Sequence, residues 1–116
     1  MAKIEKSKRE RYRQYIETLL TEYSKYKSIN EQVEAQTIFD REKDHYQLVH
    51  VGWSNKRRVY GCVLHLDIIN EKIWIQHDGR EIGIANELEK LGVPKQDIVL
   101  GFHSPYSRQF TDYAVG

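Results

Sequence analysis

The first third of the chain carries a stripe of aromatic and aliphatic side chains at helical spacing. From Tyr12 onward these residues recur at steps of three and four, which brings them to one face of an α-helix. The members are Tyr12, Tyr15, Ile16, Leu19, Leu20, Tyr23 and Tyr26. No glycine or proline interrupts the stretch from Lys3 to Lys27, and Ser28 to Asn30 offers an exit. The pattern predicts one long amphipathic helix.

Beyond Asn30 the pattern changes to runs of β-branched and aromatic residues separated by short polar segments, which is typical of consecutive hairpins. Four strands are predicted, at Glu34 to Asp40, Tyr46 to Trp53, Arg58 to Ile69 and Lys72 to His77. The segments between them, such as the Asn70-Glu71 turn, are short, and connections of this length join antiparallel neighbours. The sheet is therefore predicted to be an antiparallel meander.

The third predicted strand has one face that is more apolar than the other. Strict alternation places one set of side chains, Cys62, Leu64, Leu66 and Ile68, on one face, and a second set, Val63, His65 and Asp67, on the opposite face. We expect the long helix to cover the first face. Cys62 is then expected to be a small core residue.

The last third of the chain is predicted to be less regular. Ile84 to Leu91 is typical of a short helix that Gly92 ends and that Pro94 prevents from continuing. Asp97 to Phe102 is apolar and fits either a strand or a buried turn, and Ser104-Pro105 resembles a helix start. The predicted class is α+β: a long N-terminal helix packed on a four-stranded antiparallel meander, then a short helix and an irregular C-terminal segment.

Composition and charge limit the number of domains, the partners and the compartment that we expect for this protein. With 116 residues, 40% hydrophobic and 30% charged, the chain fits one domain, residues 1–116, with a core and a solvated surface. The net charge of +1 gives no global attraction for nucleic acid. The single cysteine excludes an intrachain disulfide and fits a reducing compartment. No apolar run approaches the roughly 20 residues that span a bilayer. We expect a soluble cytoplasmic protein without a membrane partner.

The strongest candidate for catalysis or metal binding is His65 with Asp67, because residues two apart on a strand project from the same face. If neighbouring strands bring His50 or His77 alongside, a zinc-type site is conceivable. The simpler interpretation is that His65 and Asp67 hydrogen-bond each other or the neighbouring chain. We therefore predict no metal, no cofactor and no catalytic residue.

Two other kinds of site are considered from the residues. Asp67, Glu71, Asp78 and Glu81 are the acidic residues that could serve a nuclease, but Glu71 and Asp78 fall in predicted turns, where polar residues are expected anyway. Candidate nucleic-acid contacts are the basic residues Lys6, Arg9 and Arg13 of the helix and Lys56, Arg57 and Arg58 of a turn. Acidic and basic residues spaced i to i+4 along the helix make a solvated helix face the simpler explanation of the helix residues.

Several segments together resemble the XisI family, the excision controlling factors of the cyanobacterial fdxN element. They are Tyr46 to Trp53, Gly61 to Ile68, Lys72 to Gly79, Gly83 to Leu88 and Gly92 to Phe102, followed by Arg108, Thr111 and Ala114-Val115. Residues that match the family pattern, and so mark a candidate functional face, are His65, Asp67, Trp74, Gln76, Asp78, Lys95, Asp97 and Arg108, together with Gly79 and Pro94. Asn86 and Gly116 depart from that pattern.

The resemblance implies a small cytoplasmic α+β protein that controls programmed DNA excision, in the setting of heterocyst differentiation, without cleaving DNA itself. The implied partners are an XisH-like protein and the site-specific recombinase machinery, with DNA contacted directly or through them. The leading hypothesis is thus a non-catalytic accessory factor. Direct DNA binding and a metal-dependent nuclease or hydrolase component stay open as alternatives. Edge strands of the sheet that need covering, together with exposed tyrosines that suit an interface, favour a homodimer.

Overall fold

Helix α1 spans Lys8–Ser24 in the computed structural model, which describes residues 7–25, 32–79 and 83–116. Its start is fixed by Ser7, whose Oγ accepts a hydrogen bond from the backbone N–H of Glu10 at 3.1 Å and so satisfies one free donor of the first turn. The buried face consists of Tyr12, Ile16, Leu19 and Leu20. The amphipathic helix is confirmed, whereas its predicted beginning near Lys3 and its predicted exit at Ser28 to Asn30 lie outside the described residues.

One mixed sheet forms the body of the protein. Its strands are β1 (Val33–Asp40), β2 (His45–Ser54), β3 (Arg57–Ile69), β4 (Lys72–Asp78) and β5 (Ile98–Leu100), in that spatial order. The first four strands pair antiparallel as predicted, and β5 pairs parallel to β4. The α+β class is therefore confirmed, while the expectation of a purely antiparallel sheet with four strands is wrong. A three-residue strand is too short to show any periodicity, which is why this part of the sequence fitted a strand and a turn equally well.

The short helices lie on either side of β5 in the sequence. Helix α2 (Ile84–Lys90) confirms the predicted helix before Gly92, and a single 3₁₀ turn, Lys95–Asp97, leads into β5. Helix α3 (Pro105–Arg108) begins as expected after Ser104, whose Oγ accepts from the backbone N–H of Ser107 at 3.1 Å.

None of the helices in the described part of the chain has the length and the apolar composition that crossing a membrane requires.

A β-bulge divides β3 into two parts. Leu48 pairs with Leu64 but Val49 pairs with Cys62, so Val63 is an extra residue on β3. An extra residue reverses the alternation of side chains between the two faces. Val63 is therefore buried and Cys62 exposed. The expectation that Cys62 is a core residue is wrong, because strict alternation fails at the bulge.

The core lies between α1 and one face of the sheet. Alternation holds beyond the bulge, where Leu64, Leu66 and Ile68 are buried as predicted. The core is completed by aliphatic side chains of β4, β5 and α2, with Tyr46 and Leu48 of β2: Ile73, Ile75, Ile98, Ile84 and Leu88. Burying a side chain of this size contributes about 1.5–3 kcal/mol each, so this layer holds the helix on the sheet.

Two buried carboxylates fasten α1 to the sheet at separate places. Arg13 donates from Nε to Asp44 Oδ1 at 2.7 Å and from Nη2 to Oδ2 at 3.2 Å, while the Tyr46 hydroxyl donates to Oδ1 at 2.8 Å. Burial opposes ionisation of Asp44, but the bonds from Arg13 and Tyr46 outweigh it and lower the pKa of this carboxyl.

The second fastening involves Asp97, next to β5. Lys8 Nζ lies 2.7 Å from Asp97 Oδ2, and the Tyr12 hydroxyl donates to the same oxygen. Burial again opposes ionisation, yet the bonds from Lys8 and Tyr12 lower the pKa of Asp97 below its ordinary value. Both contacts join residues far apart in sequence, so they define where α1 lies.

Candidate functional site

The face of the sheet opposite α1 carries a cluster of polar side chains from three adjacent strands. His45 of β2 pairs with Asp67 of β3, Gln47 pairs with His65, and Trp74 of β4 pairs with Asp67 on its other side. Directly paired residues project from the same face, so the register alone brings these side chains together.

Asp67 is the centre of this cluster. Its side chain is buried, with the residue 6% exposed, although it lies on the open face. Its Oδ1 lies 2.8 Å from His45 Nδ1 and 2.9 Å from His65 Nε2. Its Oδ2 accepts a hydrogen bond from Gln76 Nε2 at 3.1 Å. Both carboxylate oxygens are therefore engaged by uncharged or titratable groups.

A second β-bulge brings Gln76 into the cluster. His65 pairs with His77 and Leu66 pairs with Ile75, so Gln76 is an extra residue on β4. Bulges bend a strand and re-aim the side chain of the extra residue. In this protein the re-aimed amide donates to Asp67 and holds one of its two oxygens in place.

The hydrogen bonds assign the tautomers of both histidines when they are neutral. His45 carries its proton on Nδ1 and His65 on Nε2, because each must donate to a carboxylate oxygen. His65 Nδ1 is then an acceptor, and Gln47 Nε2 lies 3.4 Å from it. The two amides, Gln47 and Gln76, thus support the cluster from opposite sides.

The cluster forms one wall of a shallow open pocket of about 340 Å³. Its lining residues are Ile38, Asp40, His45, Gln47, His65 and Asp67. His45 is the most accessible of the three central groups, with a side chain 53% exposed, whereas the His65 side chain is 28% exposed. A carboxylate and two imidazoles next to solvent can exchange protons or bind a cation.

The predicted candidate face divides into three groups. His65, Asp67 and Gln76 lie in the cluster. Trp74 lies beside it and packs under Arg108, whose guanidinium carbon is 5.0 Å from the centre of the indole ring. Arg108 also donates to the backbone carbonyls of His103 and Val115, each at 3.0 Å, and so fixes the C-terminal segment.

The other three predicted residues lie outside the cluster. Asp78 Oδ2 accepts from the backbone N–H groups of Gly83 and Ile84 at the start of α2. Lys95 Nζ lies 3.9 Å from a carboxylate oxygen of Glu89. Asp97 fastens α1.

His45 and Gln47 were missed from the sequence. The sequence places His45 at the end of a connection, and neither His50 nor His77, the two histidines considered as companions of His65, joins the cluster found among the described residues. The pairing of His45 with Asp67 depends on the strand register, which the sequence does not specify. The one available signal was that His45 directly precedes the predicted strand at Tyr46.

The predicted basic residues are also separated by the fold. Arg13 is bound to Asp44, Arg9 is exposed on α1, and Lys6 lies outside the described residues. Lys56, Arg57 and Arg58 are exposed at the tip of the β2–β3 hairpin. Of the predicted acidic nuclease residues, Glu71 lies in the β3–β4 turn, as expected, and Glu81 lies outside the described residues.

The hairpin tip combines positive charge with exposed aromatic rings. The guanidinium carbon of Arg58 lies 5.5 Å from the ring centre of Trp53 and 6.0 Å from that of Tyr60. β4 pairs only with Leu64 to Ile69, so within the described residues the Arg57–Val63 part of β3 has no strand on that side. We call the exposed set Trp53, Lys56, Arg57, Arg58 and Tyr60 the hairpin tip.

A second exposed apolar region lies in the C-terminal segment. Four large side chains there are at least half exposed: Phe102, Tyr106, Phe110 and Val115. The rings of Tyr106 and Phe110 meet edge to face, with centres 5.3 Å apart. We call these four residues the C-terminal aromatic patch.

The fold and the cluster define a small α+β protein with one helix-covered sheet face and one polar open face. A family model described as "XisI protein" matches residues 6–115. The chain belongs to the XisI family, which confirms the resemblance seen in the sequence. No curated protein matches the chain.

Two crystal structures from Anabaena variabilis ATCC 29413 are similar to this protein. One is a XisI-like protein, 44% identical, with a TM-score of 0.87 over 93% of this chain and 99% of the other. The other is the fdxN element excision controlling factor XisI, 35% identical, with a TM-score of 0.81 over 95% of this chain and 100% of the other.

Proposed function

We propose that this protein is a non-catalytic accessory factor that controls excision of a DNA element and acts through protein partners. The observation that carries the proposal is the likeness, over 95% of the chain, to a protein named as the fdxN element excision controlling factor XisI. A controlling factor acts on the machinery that cuts and joins DNA, so its own surface must recognise that machinery.

The C-terminal aromatic patch supports action through a protein partner. Phe110 and Tyr106 are 74% and 70% exposed, and their rings form one contiguous apolar surface. Large exposed aromatic side chains are enriched at protein interfaces because they bury much area for little loss of conformational freedom. The partner we propose is an XisH-like protein, with the site-specific recombinase machinery as the wider assembly.

Size-exclusion chromatography with light scattering tests this proposal. This protein would be mixed with the XisH-like protein encoded in the same genome, with and without duplex DNA. We expect a stable complex that the double variant Tyr106→Ala, Phe110→Ala weakens at least about 10-fold, as loss of a central aromatic contact does. Phe39→Ala, which removes an exposed ring on β1, is the matched control and should leave the complex intact. A complete absence of complex at micromolar concentrations would contradict the proposal.

Direct DNA binding is the second candidate, and the hairpin tip is the observation that favours it. Lys56, Arg57 and Arg58 are adjacent, exposed and flanked by rings that can stack on bases. The triple change to alanine should weaken DNA binding and reduce its dependence on salt concentration, because phosphate contacts release bound counterions. Lys90→Ala, which removes one exposed charge from α2, is the control. Unchanged binding in the triple variant would count against the tip.

The proposal also includes an oligomeric state and a cellular location. Among the described residues, the edge of β3 that faces away from β2 pairs with no strand from Arg57 to Cys62, so it offers a backbone through which a second copy of the chain can pair. We propose a homodimer that acts in the cytoplasm. Light scattering of the protein alone gives its mass, and a monomer at micromolar concentration would contradict the dimer.

A further inference from the structure

Three carboxylates are buried in the part of the chain that the structure describes, and they are neutralised in two different ways. Asp44 and Asp97 bind Arg13 and Lys8. The hydrogen-bond partners of Asp67 are His45, His65 and Gln76, none of which carries a fixed positive charge. A buried carboxylate is costly without a compensating positive charge. Arg13 and Lys8 supply that charge to Asp44 and Asp97, whereas a bound cation would have to supply it to Asp67.

The donor atoms around Asp67 are those that zinc-type metal ions prefer. One ring nitrogen of His45, one ring nitrogen of His65 and one carboxylate oxygen of Asp67 all lie within 4.8 Å of one another. Imidazole nitrogen and carboxylate oxygen are ordinary ligands of Zn²⁺ and of neighbouring first-row ions, whereas Ca²⁺ and Mg²⁺ require mainly oxygen.

We propose that His45, His65 and Asp67 together bind one divalent transition-metal ion, with Zn²⁺ the best match to the donor set. The three residues supply three of four tetrahedral positions, and a water molecule from the open pocket supplies the fourth. Three protein ligands and one open position are the arrangement of reactive zinc sites, in contrast to closed structural sites, which use four protein ligands.

The nitrogen–oxygen distances in the cluster are already close to those of such a site. Tetrahedral bonds of about 2.0 Å separate neighbouring ligand atoms by about 3.3 Å. The present contacts to Asp67 Oδ1 are 2.8 and 2.9 Å, so each nitrogen must move outward by a few tenths of an ångström. The His45 side chain is 53% exposed, so protein atoms enclose only about half of it.

The two neighbouring amides are placed as outer supports of such a site. Gln76 holds Asp67 Oδ2, which leaves Oδ1 for the metal. When His65 binds a metal through Nε2, its proton moves to Nδ1, and Gln47 can accept a hydrogen bond from that N–H group by turning its amide so that Oε1 replaces Nε2. An amide can donate to His65 Nδ1 when that nitrogen is bare and accept from it when it carries the proton. A carboxylate could only accept, and an ammonium group could only donate.

Titration of the full chain with Zn²⁺, after removal of metal by a chelator, tests the site directly. We expect about one ion per chain, and we expect Co²⁺ at the same site to give the visible absorption of tetrahedral coordination. His65→Ala and His45→Ala should each weaken binding at least about 100-fold, and Gln76→Leu about 10-fold, in line with the effects of outer-shell changes. His103→Ala, which removes a histidine outside the cluster, should change nothing.

Two results would overturn the site. One is an absence of stoichiometric Zn²⁺ or Co²⁺ binding by the unaltered chain, which would leave a cluster held by hydrogen bonds alone. The other is binding that persists equally in His65→Ala and His45→Ala. Circular dichroism of each variant separates loss of metal from loss of fold, and the exposed His45 makes its variant the safer of the two. Neither result depends on whether a protein partner is found.

Discussion

Buried carboxylates lie on both sides of the sheet, but they have different partners on the two sides. On the covered side, Asp44 of the β1–β2 turn and Asp97 of the 3₁₀ turn before β5 bind positively charged side chains of α1. On the open face, Asp67 binds two imidazoles and an amide next to solvent. A carboxylate paired with arginine or lysine fixes a helix, because neither partner changes charge near neutral pH. A carboxylate among histidines stays available to protons and metal ions.

The largest expected difference between the faces concerns packing. Ile75→Ala should lower the free energy of unfolding by about 2–5 kcal/mol, because the side chain is fully buried in the core and its removal leaves a cavity. Ile38→Ala, the same change on the open face, should cost less than about 1 kcal/mol, because Ile38 is half exposed. Chemical denaturation measures both. Equal losses would show that the open face is buried in the folded protein in solution.

The next effect concerns the fastening of α1. Arg13→Met should lower the free energy of unfolding by about 1.5–3 kcal/mol, since it keeps an apolar stem but leaves the buried carboxylate of Asp44 without its charged partner. Arg41→Met is the matched control, because Arg41 pairs with Glu10 and Glu17 at the exposed surface. Pairs of that kind contribute little, so a similar loss in both variants would argue against a special role of Asp44.

The smallest effect is the response to acid. The folded pKa of Asp97 lies below its ordinary value, so the stability that this group contributes is present above about pH 4 and is lost as the pH falls through the folded pKa. Asp97→Asn should therefore be less stable near neutral pH by about 1 kcal/mol. The difference should shrink in acid, where both side chains are uncharged. Denaturation curves between pH 7 and about pH 3 check this, and a constant difference would contradict it.

Long periodic patterns predicted the covered face well. The stripe on α1 and the alternation in β2 to β4 extend over many residues, so single exceptions did not obscure them. The open face was harder to predict, since it depends on register and on two bulges. The extra residue Val63 exposes Cys62, and the extra residue Gln76 reaches Asp67. Whether a bulge forms depends on how two strands pair with each other, so the sequence pattern of either strand alone does not predict it.

The candidate site was predicted in part for the same reason. His65 and Asp67 were recognisable because they lie two apart on one strand. His45 required the pairing of β2 with β3, and its position beside a connection concealed it. Short β5 was ambiguous because three residues carry no periodic signal.

The bulge at Val63 has a consequence for how β3 tolerates mutation. Even-numbered residues are exposed before it, namely Arg58, Tyr60 and Cys62, and buried after it, namely Leu64, Leu66 and Ile68. Under selection, polar replacements should therefore accumulate at even positions in the outer half of the strand and be purged from even positions in the inner half. Because of a single extra residue, the two halves of β3 are therefore expected to accept polar substitutions at opposite sets of positions.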